Sequence, residues 1–213
     1  MERRSFDFFR SRTSPGISGY FESSLWTRLI LQASHSEPAV RYAVTALGAL
    51  HEKISLGRLI KHPDVDGTNI DTDYPLRQYT KALGCLRNLL STNGEQSLEL
   101  ALICSLIYIC FEILQKNYIL ALTHLQNSLR VLCWQSRGTP SSTAATVTIP
   151  LPSSRPIDHD LTQAFVRLDV QASLYLGMRL PGMVMAQSSF DMPTQFANIS
   201  EARDCLDRET NRL

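Results

Sequence analysis

The chain has 213 residues, 44% of them hydrophobic, and its 21 basic and 20 acidic side chains almost cancel. This length and apolar content predict about one domain with an ample core, and the balanced charge excludes a global electrostatic field for nucleic acid or a membrane surface. Five cysteines without paired spacing favour a reducing compartment. The N-terminus is charged, unlike a signal peptide, and the most apolar run, residues 100–111, is far shorter than the ~20 residues of a membrane span. Composition therefore predicts a soluble intracellular protein.

Residues 1–20 are predicted to form an N-terminal arm that ends in a turn region at residues 14–19. Four arginines there surround the phenylalanines at positions 6, 8 and 9. A basic arm that contacts phosphate is one interpretation. The favoured interpretation docks the phenylalanines on the first helices and leaves the arginines in solvent.

The chain is organised around residues 21–60, where apolar residues at helical spacing predict two helices joined by an elbow at residues 34–37. Ser36 is the predicted N-cap of the second helix, because its hydroxyl can accept from a backbone N–H. This choice puts Glu37 in the first turn, where the helix dipole favours a negative charge. It also puts Pro38 where a missing N–H costs nothing.

Two residues of the second helix invite further interpretation. Gly48 costs about 1 kcal/mol relative to alanine within a helix, so it predicts the close approach of a neighbouring helix. His51 and Glu52 form the start of the zinc-binding HExxH motif, but position 55 is serine rather than the second histidine that the metal needs. His51 is therefore predicted to lie at the edge of a packed face.

Residues 61–73 are predicted to be a solvated polar loop. Its aspartates at positions 64, 66, 71 and 73 suggest a calcium loop, but their spacing misses the EF-hand pattern and no closing glutamate is present. Asp73 is predicted to cap a helix that ends at residues 93–94. The predicted buried side of that helix consists of Leu76, Tyr79, Leu83, Leu86 and Leu90.

Residues 95–114 are apolar nearly all round between positions 100 and 111, which predicts a helix that is buried on most faces. Residues 115–117 form a turn into a helix that runs to about residue 135. Such short turns predict antiparallel neighbours. The buried residues of the last helix are predicted at coiled-coil-like spacing, at Tyr118, Leu122, Leu125, Leu129 and Leu132.

Three cysteines and a histidine in these helices, Cys104, Cys110, Cys133 and His124, suggest a metal site if they converge. Cys104 and Cys110 are six residues apart, however, and so lie far round the helix from each other. Cysteine is also commonly buried as a small hydrophobic residue. The structural interpretation is favoured, and no metal ligand is predicted.

Residues 136–157, rich in Ser, Thr and Pro, predict a flexible connector and a candidate phosphorylation substrate. A helix follows over residues 158–177. Its predicted buried side consists of Leu161, Phe165, Leu168, Ala172 and Tyr175.

Residues 178–198 are predicted to be irregular, and their methionines at 178, 183, 185 and 192 either line an adaptable pocket or, more commonly, fill packing gaps. Ser200 is the predicted cap of a last amphipathic helix. That helix reaches the chain end without a stop signal, so we expect the chain to be shortened relative to its fold.

The sequence lacks the motifs that carry most catalytic chemistry. It has no GxSxG elbow, glycine-rich phosphate loop, CxxC pair or dinucleotide fingerprint. The histidines at 35, 51, 62, 124 and 159 are scattered, and none lies in a motif that pairs it with a nucleophile. We therefore predict no catalytic, cofactor-binding or metal residues, no cofactor and no enzymatic activity.

Several stretches of the chain, in order, resemble one protein family. These are FFRSRT followed by GYFESSLWTRLILQASHSEPAVRYAVTALGALHE, then YTKALGCLRNL (79–89), AFVRLDVQASLYLG (164–177) and ISEARDCL (199–206). They are similar to the regulatory region of fungal binuclear zinc-cluster transcription factors, the fungal-specific transcription factor domain. The resemblance implies an all-helical domain in the nucleus that controls transcription, often of metabolic or secondary-metabolite genes. The family's DNA reader, a six-cysteine cluster with two zinc ions, has no counterpart in this sequence.

The sequence thus predicts an all-α fold, an antiparallel helical bundle or solenoid-like array of about seven helices, forming a single regulatory domain over residues 1–213. The expected partners are other proteins, either the transcription machinery or a related regulator, with a homodimer or heterodimer as an option. Neither direct nucleic-acid binding nor a membrane is expected. The expected location is the nucleus, with the cytoplasm as the alternative. Two other functions stay open: a helical interaction scaffold outside transcription, and a ligand-binding or enzymatic role for the methionine-bearing loop.

Overall fold

The structure, a computed structural model, describes residues 1–19, 24–57, 73–93, 97–137, 157–176, 193 and 195–210. Within these ranges all of the regular secondary structure is helical and forms eight continuous segments, which confirms the predicted all-α array of about seven helices. The chain divides into two compact units, Met1–His124 and Leu125–Leu213, each described here by itself. The assignment of the whole chain to a single domain stays a prediction.

The helices are labelled in chain order. The first group consists of α1 (Glu2–Phe8), α2 (Ser14–Ser18), α3 (Ile30–Ser36), α4 (Pro38–Ser55), α5 (Tyr74–Asn93) and α6 (Leu98–Leu114). The second group consists of α7 (Tyr118–Arg137), α8 (His159–Leu176) and α9 (Ile199–Thr210). The π-helical segment Phe9–Thr13 joins α1 to α2, and a second one, Leu25–Leu29, leads into α3. Among the described helices, none has the length and hydropathy needed to cross a membrane.

The N-terminal residues form a continuous rod over positions 2–18 rather than an arm that ends in a turn. The predicted turn region at 14–19 is wrong, since only Gly19, at φ 63°, leaves the helical conformation. The π turn widens the helix just before Pro15, where proline cannot donate to the preceding turn. The docking of the phenylalanines is confirmed: Phe9 is fully buried and Phe6 and Phe8 are half-buried, whereas the four arginines are exposed.

Helix α1 approaches α4 closely at Gly48, as predicted. A methyl group built at Gly48 would lie 2.9 Å from Phe9 Cβ and even closer to the backbone oxygen of Ser5. Only glycine leaves room for this contact. The helix propensity that Gly48 sacrifices is therefore offset by the packing of the N-terminal rod on α4.

The elbow between α3 and α4 is a single residue, Glu37, at φ −112° and ψ 114°. The predicted cap is wrong: Ser36 still belongs to α3, and its hydroxyl donates to the Ala33 carbonyl at 3.3 Å. Glu37 is the N-cap and so does not lie in the first turn. The residue before a proline avoids the helical conformation, which places the break at Glu37. Pro38 is at the first helical position, as predicted.

Helix α5 buries a different face from the predicted one. Tyr79 is buried as predicted, but its buried companions are Pro75, Gln78 and Ala82. Of the other predicted residues, Leu86 is half-buried. Leu76 is 53% exposed, Leu83 39% and Leu90 41%. Helix α5 packs on α4, whose inward side is rich in alanine, and it turns compact residues rather than leucines toward that surface.

Helix α6 is buried on most faces between positions 102 and 112, as predicted. It ends in a Schellman motif: the Asn117 N–H donates to the Glu112 carbonyl at 2.8 Å, and the Lys116 N–H to that of Ile113 at 2.9 Å. In the following helix α7, the prediction is right for three leucines and wrong at its start. Leu125, Leu129 and Leu132 are buried, Leu122 is half-buried, and Tyr118 is 59% exposed.

In the second unit, α8 begins after Asp158, whose Oδ1 accepts from the backbone N–H of Asp160 at 2.9 Å and of Leu161 at 3.3 Å. On its predicted buried side, Leu161 and Phe165 are fully buried and Leu168 and Ala172 are half-buried. The prediction for Tyr175 is wrong, since 94% of it is exposed.

Helix α9 is capped by Asn198 and not by Ser200. The Oδ1 of Asn198 accepts from the Glu201 N–H at 2.8 Å, and the Glu201 carboxylate accepts from the Ala197 N–H at 2.6 Å. This is a variant of the capping box, in which the glutamate three residues after the cap accepts from the residue before the cap. Ser200 has Arg203 at that distance, so it lies inside the helix.

Several predicted features lie outside the described residues. These are residues 61–72 of the polar loop with three of its aspartates, His62, residues 138–156 of the connector, and the methionines at 178, 183, 185 and 192. Residues 136–137, assigned to the connector, belong to α7.

Candidate functional site

A cluster of aromatic and polar side chains lies among α5, α6 and the first turns of α7, within the first unit. Its centre is Tyr79, whose ring stacks on Phe111 at a centroid distance of 4.6 Å and meets Tyr108 edge-on at 4.9 Å. The ring of His124 lies 5.7 Å from that of Tyr108. Tyr79, Tyr108, Glu112 and His124 are called the tyrosine–histidine cluster below.

Two polar contacts hold side chains of this cluster, whereas the buried Tyr108 hydroxyl has no hydrogen-bond partner within the described part of the chain. The Tyr79 hydroxyl lies 3.2 Å from His124 Nε2. Glu112 is almost fully buried, and its carboxylate accepts from the Asn117 side-chain amide at 3.0 Å. The turn after α6 therefore holds the carboxylate in place from outside. These contacts tie three consecutive helices together.

Burial keeps the cluster's titratable rings neutral. It raises the pKa of Tyr79, and the neighbouring Glu112 carboxylate raises that pKa further. Burial also raises the pKa of Tyr108. It lowers the pKa of His124, against a smaller opposing effect of Glu112. Tyrosines with raised pKa values are poor bases and nucleophiles, so this arrangement favours positioning of helices over proton transfer.

The cysteines of α6 are equally unsuited to reaction. Burial raises the pKa of the Cys104 thiol to about 12 and that of Cys110 to about 12. The thiolate is the reactive and metal-binding form, and it is scarce at neutral pH for such groups. The described residues contain no group of three His, Cys, Asp or Glu side chains that could hold a metal ion.

The other histidines are spread over the surface of the described helices. His51 Nδ1 lies 2.9 Å from the Thr13 hydroxyl, and its ring meets Phe8 edge-on at 5.5 Å. His51 thus lies at the edge of a packed face, as predicted. His35 and His159 are exposed.

A groove of about 390 Å³ lies between α1, α3 and α4. Two arginines, Arg3 and Arg41, give it a basic character. The hydroxyls of Ser34 and Thr45 donate to carbonyl oxygens of their own helices, so they contribute no donor to the groove. Its lining consists of Glu2, Arg3, Phe6, Ser34, His35, Arg41 and Thr45.

The exposed side of α5 has a regular chemistry. Leu76, Leu83 and Leu90 follow one another at intervals of seven residues and are all exposed. The basic residues of the helix, Arg77, Lys81 and Arg87, are exposed as well. These six residues are called the α5 outer face below. Sequence reasoning missed it because leucines at helical spacing normally mark a buried stripe.

In the second unit, an arginine connects α8 to α9. Arg167 Nη2 lies 2.7 Å from Asp204 Oδ1, and Arg167 Nε donates to Asp207. Burial lowers the pKa of the nearby Arg203, as does the positive charge of Arg167. The partners are 37 and 40 residues apart in the chain, so periodicity could not reveal the pairing.

Comparison with known proteins identifies the family. Residues 4–202 match the model of the fungal specific transcription factor domain, which is most of the chain. The chain belongs to this family. The predicted resemblance is confirmed.

A curated relative of this fungal-specific transcription factor domain is the "Transcription regulator lscL" of Purpureocillium lilacinum. It is 33% identical over 106 residues, which make up 49% of the present chain and 25% of the relative. The chain therefore matches about a quarter of that relative's length. No solved structure matches the chain. The family is one of transcription factors, and transcription regulation is its shared role.

Proposed function

We propose that this fungal-specific transcription factor domain regulates transcription through contacts with other proteins, in the nucleus, in the control of metabolic or secondary-metabolite genes. The observation that carries the proposal is the family match over residues 4–202. The relative from Purpureocillium lilacinum, named a transcription regulator, supports the same role.

The distribution of side-chain chemistry supports protein contacts as the mode of action. Tyr79, Tyr108 and Glu112 of the tyrosine–histidine cluster are buried between helices, where they hold the helices together. The outer surface of the described helices, by contrast, exposes several large apolar side chains, among them Ile119 at 82% and Leu76 at 53%. Exposed apolar residues grouped on a surface are typical of protein interaction sites.

The cysteines support an indirect role at the promoter. The family's DNA reader holds two zinc ions in a closely spaced six-cysteine cluster, whereas the cysteines here stand at positions 85, 104, 110, 133 and 205. Zinc needs thiolates that converge on one ion. The proposal therefore assigns promoter contact to a protein or segment other than these residues.

A reporter assay tests the proposal. The chain would be joined to a heterologous DNA-binding domain and targeted to a promoter upstream of a reporter gene. We expect activation or repression relative to the DNA-binding domain alone. A Phe9→Asp variant, which puts a charge into the core, serves as the unfolded control and is expected to be inactive. A folded, nuclear fusion that leaves the reporter unchanged would contradict the proposal.

The location needs its own measurement. A fluorescent fusion of the chain, expressed in a filamentous fungus, is expected to concentrate in the nucleus. Affinity capture from nuclear and cytosolic fractions identifies where its partners are. A purely cytosolic set of partners would favour the alternative of a scaffold outside transcription.

A further inference from the structure

The α5 outer face combines a row of leucines with basic side chains. An α-helix rises 1.5 Å per residue, so Leu76, Leu83 and Leu90 extend over about 21 Å along the surface. Seven residues are slightly less than two helical turns, which keeps the three leucines on one side. Thr80 and Arg87 are exposed beside this row. The face is long enough to receive a helix of several turns.

The charge of α5 selects the kind of partner. The helix carries Arg77, Lys81 and Arg87 and has no acidic residue. Lys81 Nζ also lies 5.7 Å from the Tyr42 ring centroid, on the side toward α4. A second copy that docked through the same face would bring like charges together, and like charges in apposition disfavour association. An acidic partner would instead meet the opposite charge of Arg87, beside the row, and of the exposed Arg77.

We propose that the α5 outer face is a docking site for an acidic amphipathic helix of another protein. Apolar residues of that helix, repeated at the spacing of one helical side, cover the three leucines, and its aspartates or glutamates face Arg87 and Arg77. This is recognition of an amphipathic helix, in which an apolar stripe supplies affinity and flanking charge supplies specificity. The inference deepens the proposed function, because it names the surface through which the protein contacts are made.

A binding experiment on the full chain tests this site directly. The probe is a synthetic acidic peptide of about 18 residues, long enough to span the leucine row, with leucines at heptad spacing and glutamates on either side of them. Its fluorescence anisotropy is followed as the chain is added. We expect saturable binding that weakens as salt rises from ~0.1 M to ~1 M, because the Debye length falls from about 10 Å to about 3 Å.

Two variants assign the binding to α5. Leu83→Ser removes an apolar contact and Arg87→Glu reverses a charge, and each is expected to weaken binding about tenfold. Arg87→Glu is also expected to gain affinity for a peptide whose glutamates are replaced by lysines. Ile119→Ser is the matched control, an exposed apolar residue of α7, and should bind the acidic peptide as the unchanged chain does. Circular dichroism verifies that each variant is folded.

The site would be disproved by any of three results. These are no binding of the acidic peptide, equal binding of the lysine peptide by the unchanged chain, or unaltered binding by both α5 variants. Self-association of the chain that Leu83→Ser abolishes, without peptide binding, would assign the face to a second copy and so overturn the inference. Peptide binding by a chain that is silent in the reporter assay would contradict the proposed function alone.

Discussion

At the residue scale, a close approach between two helical segments of the first unit rests on the missing side chain of Gly48. The N-terminal rod lies so near α4 that even one methyl group would collide with the backbone of Ser5. Gly84 in α5 provides the contrast, because a methyl group there meets no atom within 4 Å. The same residue type therefore has opposite effects on stability at the two positions.

We predict that Gly48→Ala lowers the free energy of unfolding by about 1–3 kcal/mol, the usual cost of overpacking. Gly84→Ala is the matched control and should raise it by roughly 0.5–1 kcal/mol, since alanine is the better helix former. Urea denaturation of the three proteins measures both effects. A Gly48→Ala protein as stable as the unchanged chain would show that α1 can shift on α4.

Lys116 is another single residue with a structural cost. Its φ of 63° is the left-handed conformation that ends α6 in the Schellman motif, and L-residues adopt it at a cost of roughly 1–2 kcal/mol. We predict that Lys116→Gly raises the free energy of unfolding by roughly 1 kcal/mol, part of the strain being offset by the freer unfolded chain. Lys116→Ala is the control and should not stabilise. Thermal unfolding distinguishes the two variants.

The errors of sequence reasoning at this scale concern helix caps. Ser36 was an adequate cap by residue type, but the proline at position 38 forces the break onto Glu37. Ser200 was likewise adequate, but Glu201 favours Asn198 because the capping box fixes a spacing of three residues. In both cases a neighbour decided between candidates of similar propensity. Both local rules were available in the sequence.

At the scale of elements, α5 shows what periodicity cannot decide. The row of leucines and the side with Pro75 and Ala82 could each form the buried face of α5. Which of the two is buried depends on the helix that α5 packs against. Because α4 presents alanines, α5 packs with Pro75 and Ala82 inward and leaves three leucines outside. Helix α6, apolar on all sides, offered no such choice and was predicted correctly. The α5 outer face was therefore beyond single-sequence reasoning, whereas the existence of both helices was not.

The pairing of α8 with α9 depends on one arginine that contacts two carboxylates. We predict that Arg167→Ala leaves Asp204 and Asp207 without their shared cation and destabilises the docking of α9 by about 2 kcal/mol, the range of hydrogen bonds to charged groups. Native-state hydrogen exchange of the α9 amides measures this local effect. Arg167→Lys should lose much of it too, because an ammonium group cannot reproduce the planar fork.

Arg10→Ala is the matched control for this prediction. Arg10 Nη2 lies 3.7 Å from Asp7 Oδ1, but both side chains are more than half exposed. Exposed ion pairs contribute little, so unfolding is expected to change by less than about 0.5 kcal/mol. Protection of α9 that survives in Arg167→Ala would show that its apolar residues, such as the buried Cys205, hold it without the ion pairs.

At the scale of the whole molecule, the tyrosine–histidine cluster couples stability to pH. Burial holds the pKa of His124 below its ordinary value in the folded chain. As pH falls below the ordinary histidine value of about 6.5, the unfolded chain takes up the proton first, and the folded state loses stability. The stability that the folded chain gains from keeping His124 neutral is thus fully present above that pH and decreases as the pH falls.

We predict that the free energy of unfolding falls more between pH 7.5 and pH 5.5 in the unchanged chain than in His124→Gln, whose side chain cannot titrate. Urea denaturation at both pH values gives the difference of differences, in which the contributions of all other groups cancel. Equal losses in the two proteins would mean that His124 binds its proton as readily in the folded state as in the unfolded one.

The fold class, the family and most of the helices could be predicted from the sequence, because apolar periodicity and turn residues are local signals. The contacts between residues far apart in the chain could not be predicted. Tyr79 meets His124 across 45 residues and Thr13 meets His51 across 38, and no spacing rule connects such positions. The buried cluster, the Arg167 pairs and the outer face of α5 all depend on such long-range packing.

The N-terminal rod determines where another domain can be attached. Met1 is 73% exposed, and the side chains that insert into the protein begin only at Ser5. A fusion joined ahead of Met1 therefore leaves the packing of the N-terminal rod on α4 intact. A fusion that replaces residues 1–18 would remove Phe9 from the core and expose the surface of α4 around Gly48 to water. The first eighteen residues are therefore part of the folded core of the first unit and cannot serve as a linker to another domain.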